Sequence, residues 1–455
     1  MFLRSDSAHS ESDVFSASLK ASEADRQRDA WIPSEPTRLA LVNLLTSAQG
    51  SYTVPHDQLT LPGLINDDPQ GDPVKDLVQK FISEHEASNR KTLSAADVSH
   101  DEDGIQQLMN AECWRAAIDL TGVILTQCGQ GMGQVGQPSV HSPCSLRVWM
   151  LRISLLIKLQ LFSLAESECQ AFGSMDTPDL YFEYYFDQFP GKRGSMVPFE
   201  FRVICAELPQ YLGKSQESLD RLYYLYAIAG KILENLRQGL AEDGSMLQLS
   251  DSNRAASTQL WTSREIRLLY AISNCALNIK DYQTAIEVLE DLLVKDVSHK
   301  VHLWSGIART YLQMGDLKSG MHYIDLFSAE IDPEDVKLCC INQINRGFLA
   351  IGQNNFPEAQ KCFQNALEYE PNNVIAVNNM AVCYLYMGKL KEALYSLEGL
   401  VQESPHLHLQ EGLLFNLSTL YELQSSRAMN KKQTLLNLVN KHKGNGFNVA
   451  CLKMT

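Results

Sequence analysis

The chain has 455 residues, 39 Lys+Arg against 54 Asp+Glu and a formal net charge of −15. That acidic balance argues against broad electrostatic binding to nucleic-acid phosphates or anionic lipid heads. A hydrophobic fraction of 45% with 20% charged residues describes a folded chain with a sizeable core. The most apolar stretch, Val148 to Ala165, carries Arg152 and Lys158, so no run reaches the roughly 18 uncharged residues a spanning helix needs. Met1-Phe2-Leu3-Arg4 passes at once into Ser and acidic residues, unlike a secretory leader. The 11 cysteines are scattered, never spaced CxxC, and read as small apolar residues of a reducing compartment.

Residues 1–30, rich in Ser, Asp, Glu and Ala, are predicted to be disordered. The stretch 31–104 reads as a linker with short docking helices. Trp31 and Ile32 lead into Ser34-Glu35-Pro36-Thr37, a helix start with proline near its first turn. Leu39, Leu41, Val42, Leu44 and Leu45 then supply an apolar face until Gly50. Residues 51–73 hold four prolines and two glycines, an extended connector containing Leu61 and Pro62. Trp31, Ile32, Leu61 and Pro62 are the candidate partner-docking residues. One short amphipathic helix is expected over Val74–Ile82.

From Gly104 to about Val439 the pattern is helix after helix, and it repeats. Gly347, Ala350, Phe356, Ala359, Phe363, Ala366 and Pro371 stand 34 residues before Ala381, Tyr384, Leu390, Ala393, Leu397, Leu400 and Pro405. Small, aromatic and apolar residues in that order at a period of 34 mark the tetratricopeptide helix–turn–helix. Small residues at Gly347, Ala359, Ala381 and Ala393 let helices approach closely, and Pro371 and Pro405 follow the ends of second helices. Trp304, Ala308 and Tyr311 belong to a preceding unit with about five extra residues. Clear repeats are expected near 266–299, 301–339, 340–373 and 374–407 within 261–440. Eroded repeats are expected over 105–260, and a basic tail over 441–455. The predicted fold class is therefore all-α, a tetratricopeptide solenoid with a largely extended or disordered N-terminal segment.

Two loops interrupt the array, 128–143 and 239–258, both expected to be disordered. The first contains Gly131-Met132-Gly133-Gln134-Val135-Gly136, which fits GxGxxG, but no strand precedes it and no nucleotide site is expected. Gly213-Lys214-Ser215 lacks the upstream glycine of a phosphate loop, since Leu208 stands there. His406 and His408 are two histidines where a closed metal site wants four ligands. Asn416-Leu417-Ser418 fits a glycosylation acceptor in a chain with no expected secretory route. No catalytic, cofactor or metal residue is assigned. After Glu422 only basic residues remain: Arg427, Lys431, Lys432, Lys441, Lys443 and Lys453. They serve as the polar outer face of a terminal repeat or as a docking patch for an acidic partner.

Three segments carry a family resemblance: Trp31 to Arg38, Leu61 to Val74, and Trp261 to Tyr270 before the C-terminal repeats. Through them the chain resembles the tetratricopeptide-containing subunit 12 family of the trafficking protein particle (TRAPP) complex, over nearly its whole length. Members of that family often have a longer low-complexity N-terminal region. The resemblance implies a non-enzymatic scaffold in TRAPP III, acting in vesicle tethering between endoplasmic reticulum and Golgi and in autophagy. The implied partners are the small core subunits and another peripheral subunit. A Rab-family GTPase would be met only indirectly, because nucleotide exchange belongs to the core. A cytoplasmic location at the Golgi periphery and intermediate compartment, peripheral to membranes, is likewise implied. The alternative is a free-standing adaptor or cochaperone that binds a peptide or helix in a concave groove. Cochaperone repeats look like a pattern with Lys and Asn at positions five and nine, where this chain has Ser305 and Arg309, Ile344 and Phe348, and Asn378 and Val382.

Overall fold

A computed structural model describes residues 30–47, 52–66, 68–246, 249–424 and 427–454. The disorder expected over 1–30 falls, apart from Ala30, outside the described residues. Among the described residues there are twenty α-helices and no strand beyond two isolated bridges, Leu64 with Met132 and Tyr181 with Ser195. The first are α1 (Glu35–Thr46), α2 (Pro73–Phe81), α3 (Glu84–Asn89), α4 (Glu102–Asn110), α5 (Trp114–Gln127), α6 (Pro143–Lys158) and α7 (Phe162–Gln170). Next come α8 (Phe199–Glu207), α9 (Ser215–Arg237), α10 (Asp251–Asn278), α11 (Tyr282–Lys295), α12 (Lys300–Met314) and α13 (Leu317–Glu330). The last are α14 (Val336–Gly352), α15 (Phe356–Tyr369), α16 (Val374–Tyr386), α17 (Leu390–Glu403), α18 (Pro405–His408), α19 (Glu411–Gln424) and α20 (Ala428–His442).

These helices fall into two compact units. The repeat unit joins Gly71–Thr92 to everything from Tyr282 onward, and the N-terminal unit joins the described residues up to Gln70 to Leu93–Asp281. The segment 31–104 is thus shared between two cores and is not a linker.

In the repeat unit the sequence period is written into the backbone. Gly315, Asn354 and Gly388 adopt left-handed conformations at the turns that follow α12, α14 and α16. Their spacings, 39 and then 34 residues, are those of the sequence pattern. Helices α13 and α15 among the second helices, and α14 and α16 among the first, start on a side-chain cap. Asp316, Asp335, Asn355 and Asn373 accept from the backbone N–H groups of Ser319, Leu338, Glu358 and Ala376. Such caps each contribute about 1 kcal/mol. Between α14 and α15 the small-residue rule has a direct cause. A Cβ on Gly347 would lie 2.6 Å from Cε1 of Phe363, itself fully buried.

The end of this array is closed from both ends of the chain. Val74, Val78 and Ala87 from α2 and α3 share one apolar core with Leu413, Leu417, Leu436 and Val439 of α19 and α20. Asp72 caps α2 and also pairs with buried Arg90 at 2.6 Å. Arg90 in turn donates to the carbonyls of Asn440 (2.7 Å) and Lys443 (2.9 Å). Those carbonyls lie at the exit of α20, where the helix leaves acceptors unpaired. The 441–455 segment, expected as a basic tail, packs as well. Phe447, Cys451, Leu452 and Met454 are buried in this core. Lys432 and Lys453 both pair with Glu422, and Lys431 pairs with Glu398. Lys431, Lys432 and Lys453 of the late basic run are therefore engaged within the chain, the last two on one carboxylate.

In the N-terminal unit the connector 239–258 is shorter and better held than predicted. Ser250 caps α10, which begins at Asp251, and Arg254 donates to the carbonyls of Leu236, Gly239 and Leu240 at the end of α9. A cationic side chain on helix-terminal carbonyls is the favourable arrangement. Elsewhere the core encloses a charged pair, Arg152 with Glu168, joined by two bonds of 2.7 and 2.8 Å, both side chains almost fully buried.

Gly347→Val is expected to lower unfolding stability by about 1–3 kcal/mol through overpacking against Phe363. Gly399→Ala, at an exposed helical position with open space around its Cβ, should raise it by roughly 0.5–1 kcal/mol. Urea titration of the two variants checks both signs. Glu168→Ala, which strands the buried Arg152 guanidinium, should cost about 3–5 kcal/mol in the same measurement.

Candidate binding surface

The first helices of the repeats, α12, α14, α16 and α19, carry polar residues inside otherwise apolar stripes. Asn345 lies between Ser305 and Arg309: its Nδ2 donates to Ser305 Oγ at 2.9 Å, and Arg309 Nε donates to its Oδ1 at 2.8 Å. Asn416 Nδ2 donates to Asn378 Oδ1 at 2.8 Å. Asn345, Asn378 and Asn416 are all buried. These amide contacts link successive first helices, α12 to α14 and α16 to α19. They also occupy the positions a carboxylate clamp would use, since Ser305, Ile344, Asn378 and Val382 are buried. The one cation in the set, Arg309, lies over the Phe348 ring at 5.5 Å.

Of the sequence-predicted packing residues, Trp304, Ala308, Gly347, Ala359, Phe363, Ala366, Ala381 and Ala393 are buried. Tyr311 is half-buried and stacks on Tyr323, and Tyr384 is half-buried. Pro371 is exposed beyond the end of α15, and Pro405 opens the single turn of α18. His408 is buried with Nδ1 2.8 Å from the Leu400 carbonyl, while His406 is exposed, so the two do not converge. Asn416 and Ser418 of the glycosylation-like triplet are buried. The repeat unit also presents apolar and aromatic side chains outward: Tyr386, Tyr395, Leu407 and Leu423 are all more than half exposed.

The candidate docking residues of the N-terminal segment turn inward. Trp31 is 5% exposed, its ring centroid 6.4 Å from that of Trp261 and 4.3 Å from the Arg202 guanidinium. Pro62 is buried, and Ile32 and Leu61 are half-buried. The reason is a set of buried acceptors that sequence inspection missed. Asp176 accepts from the Ser34 backbone N–H at 2.8 Å and from the Tyr181 hydroxyl, while its carbonyl accepts from Thr37. Asp179 Oδ2 accepts from both the backbone N–H (2.9 Å) and the hydroxyl (2.5 Å) of Thr60. The loop 128–143 completes the grip. Leu64 N–H donates to the Gly131 carbonyl, and Gly136 N–H donates to that of Leu61. Its glycine pattern thus serves a loop pinned to the 61–64 segment, with Gly133 and Gly136 in left-handed turns.

Thr60, His141 and Asp179 resemble a nucleophile–base–acid set in composition alone. His141 Nε2 is 2.5 Å from Thr60 Oγ1, but His141 Nδ1 faces Gln130, and Asp179 bonds the threonine rather than orienting the imidazole. A triad requires the acid on the far nitrogen and an accessible hydroxyl. Here all three residues are at most 2% exposed. The cavity beside Trp31 and Trp261 holds about 10 Å³, too little for a ligand. Among the described residues no group of His, Cys, Asp and Glu is placed to hold a metal ion, and no helix is long and apolar enough to cross a membrane.

Stacked helix pairs with a recurrent left-handed turn and close-packed small residues define a tetratricopeptide-type helical repeat protein, and the tetratricopeptide repeat family model matches residues 350–413. Over 97% of its length the chain is similar, at 46% identity, to trafficking protein particle complex subunit 12 of Mus musculus and of Homo sapiens. It spans 56% and 60% of those relatives' own lengths. Among solved structures, BtubC (BKLC) from P. vanneervenii overlaps 48% of this chain and 92% of its own at 15% identity, with a TM-score of 0.35.

Burial pushes the His141 imidazole down to about 4 from its ordinary 6.5. A depressed histidine stays neutral in the fold while the unfolded chain takes up a proton, so stability is lost as pH falls from about 6.5 toward 4. Burial raises Asp179, which offsets part of this loss at the acid end. Between pH 7 and pH 5 the chain should lose about 2 kcal/mol from His141, and a His141→Gln variant should lose less. Denaturant titration at both pH values reads the difference.

Proposed function

We propose that this chain is a non-enzymatic scaffold subunit of a TRAPP-type complex. The observation that carries the reading is the 46% identity to subunit 12 over 97% of the chain. It spans the segments 31–38 and 61–74, which contribute to both units: Trp31 and Pro62 are buried in the N-terminal unit, and Val74 in the repeat unit. The finer reading is attachment to a TRAPP III assembly at the membranes between endoplasmic reticulum and Golgi, with roles in tethering and autophagy. Support for Rab-family nucleotide exchange is then indirect, through core subunits that this chain positions. The repeat architecture supports it, because stacked helix pairs offer long surfaces to partner helices or extended segments. The chemistry is compatible with it: the Thr60, His141 and Asp179 cluster is sealed and misoriented, as described above. The cochaperone alternative loses ground because the clamp positions are filled by contacts within the chain.

Affinity purification of the tagged chain after mild lysis, with mass spectrometry of the eluate, tests the proposal. Small TRAPP core subunits should co-elute in near-stoichiometric amount. Recovery of chaperones alone, or of no TRAPP subunit, would overturn it. Attachment is best mapped with surface variants such as Tyr395→Asp. Deleting residues 31–82 removes buried Trp31, Val74 and Val78, so that deletion is expected to unfold the chain as well as release partners.

A further inference from the structure

We propose that Cys169 and Cys205 form a redox-active dithiol site that closes to a disulfide on reaction with a small-molecule disulfide of the glutathione type. Cys169 lies in the last turn of α7 and Cys205 in α8. Both are free thiols, and their Sγ atoms are 2.7 Å apart. Unbonded sulfurs do not ordinarily pack so closely, and a disulfide needs roughly 2.0 Å.

The contact belongs to a seam that other residues already fix. Phe162, Glu166 and Cys169 share one face of α7, at successive turns. Phe162 stacks on Tyr211, centroids 5.0 Å apart and planes 7° from parallel. Glu166 pairs with Lys214. Cys205, Tyr211 and Lys214 follow one another along α8, the 3-10 turn Leu208–Leu212 and the start of α9. The thiol pair is the third rung of this seam, whose other two contacts already hold the segments against each other.

Access differs between the two sulfurs. Cys169 is half-buried and reachable, whereas Cys205 is buried and burial raises its thiol well above the ordinary range, with the nearby Arg221 guanidinium acting in the opposite direction. That asymmetry orders the chemistry. The Cys169 thiolate attacks one sulfur of the small disulfide; its S–S bond breaks, a mixed disulfide forms at Cys169, and one small thiolate leaves and is protonated. Cys205 then attacks the Cys169 sulfur, giving up its proton, and the second small thiol departs. Two protein thiols and one small disulfide become one protein disulfide and two small thiols, with no other reagent needed. The bridge spans 36 residues, and this loop contains Asp176, Asp179 and Arg202, the groups that hold the N-terminal segment.

The test is incubation of the full chain in glutathione mixtures of rising disulfide fraction, followed by alkylation, peptide mapping and thermal unfolding. The 169–205 cross-linked peptide should accumulate before glutathione adducts at the exposed Cys128 and Cys144. Its formation should raise Tm, and dithiothreitol should reverse both changes. Cys205→Ala should trap glutathione on Cys169, and Cys169→Ala should leave Cys205 unmodified. Adducts at Cys128 or Cys144 with Cys169 and Cys205 both still alkylatable would overturn the proposal. So would a persistent adduct at Cys169 in the unsubstituted chain without the cross-link.

Discussion

A stack of helix pairs leaves an apolar face open at its end, and closing that face is the constraint on which the repeat unit depends. The solution here is borrowed from a distant part of the sequence. Helices α2 and α3 contribute Val74, Val78 and Ala87 to the core of α19 and α20. The buried Arg90 guanidinium then satisfies the carbonyls at the exit of α20 while Asp72 balances its charge. An arginine in that place does two things an apolar residue could not: it pairs backbone acceptors that water no longer reaches, and it fixes the cap in one register.

The repeat pattern was readable because its cause is local and periodic. Gly347 is small because Phe363 occupies the space its Cβ would take, and the sequence repeats the small–apolar pair 34 residues on at Ala381 and Leu397. The left-handed turns at Gly315, Asn354 and Gly388 follow the spacing of the repeats, with Asn354 standing where the other two are glycine. The docking of residues 31–64 was not legible. Its acceptors, Asp176 and Asp179, lie more than a hundred positions away in an irregular stretch with no period. Trp31 and Pro62 were conspicuous in the sequence, but whether they meet another chain or their own depends on those acceptors. The expected loops failed similarly: Arg254 and the Leu61–Gly136 contacts turn polar, glycine-rich sequence into bound structure. The segments that carry the family resemblance are therefore ones the fold itself uses.

The same contrast separates chemistry from packing in the candidate site. Polar groups in this chain are concentrated where helices or segments must be held in one register: Asn345 and Asn378 between first helices, Arg152 with Glu168, Thr60 with Asp179. Buried and bonded to one another, such groups specify an arrangement rather than react, even though Asn378 Nδ2 and Asp179 Oδ1 have no hydrogen-bond partner. Exposed side chains on the repeat unit, Tyr395, Leu407 and Leu423 among them, are the complementary feature, open to a partner.

The closure of the repeat unit also sets a timetable for the chain's own synthesis. Gln433 donates to the Phe81 carbonyl across 352 positions, and Arg90 reaches Asn440 across 350. A ribosome releases α2 and α3 long before α20 exists, with residues 93–281 emerging between them. Until the last helix leaves the exit tunnel, the apolar face of α2 has only α3 as a native neighbour, and contacts of such separation form slowly. The nascent protein therefore carries an unsatisfied hydrophobic hairpin through most of its translation, and a chaperone that shields short amphipathic helices would act on it at that stage.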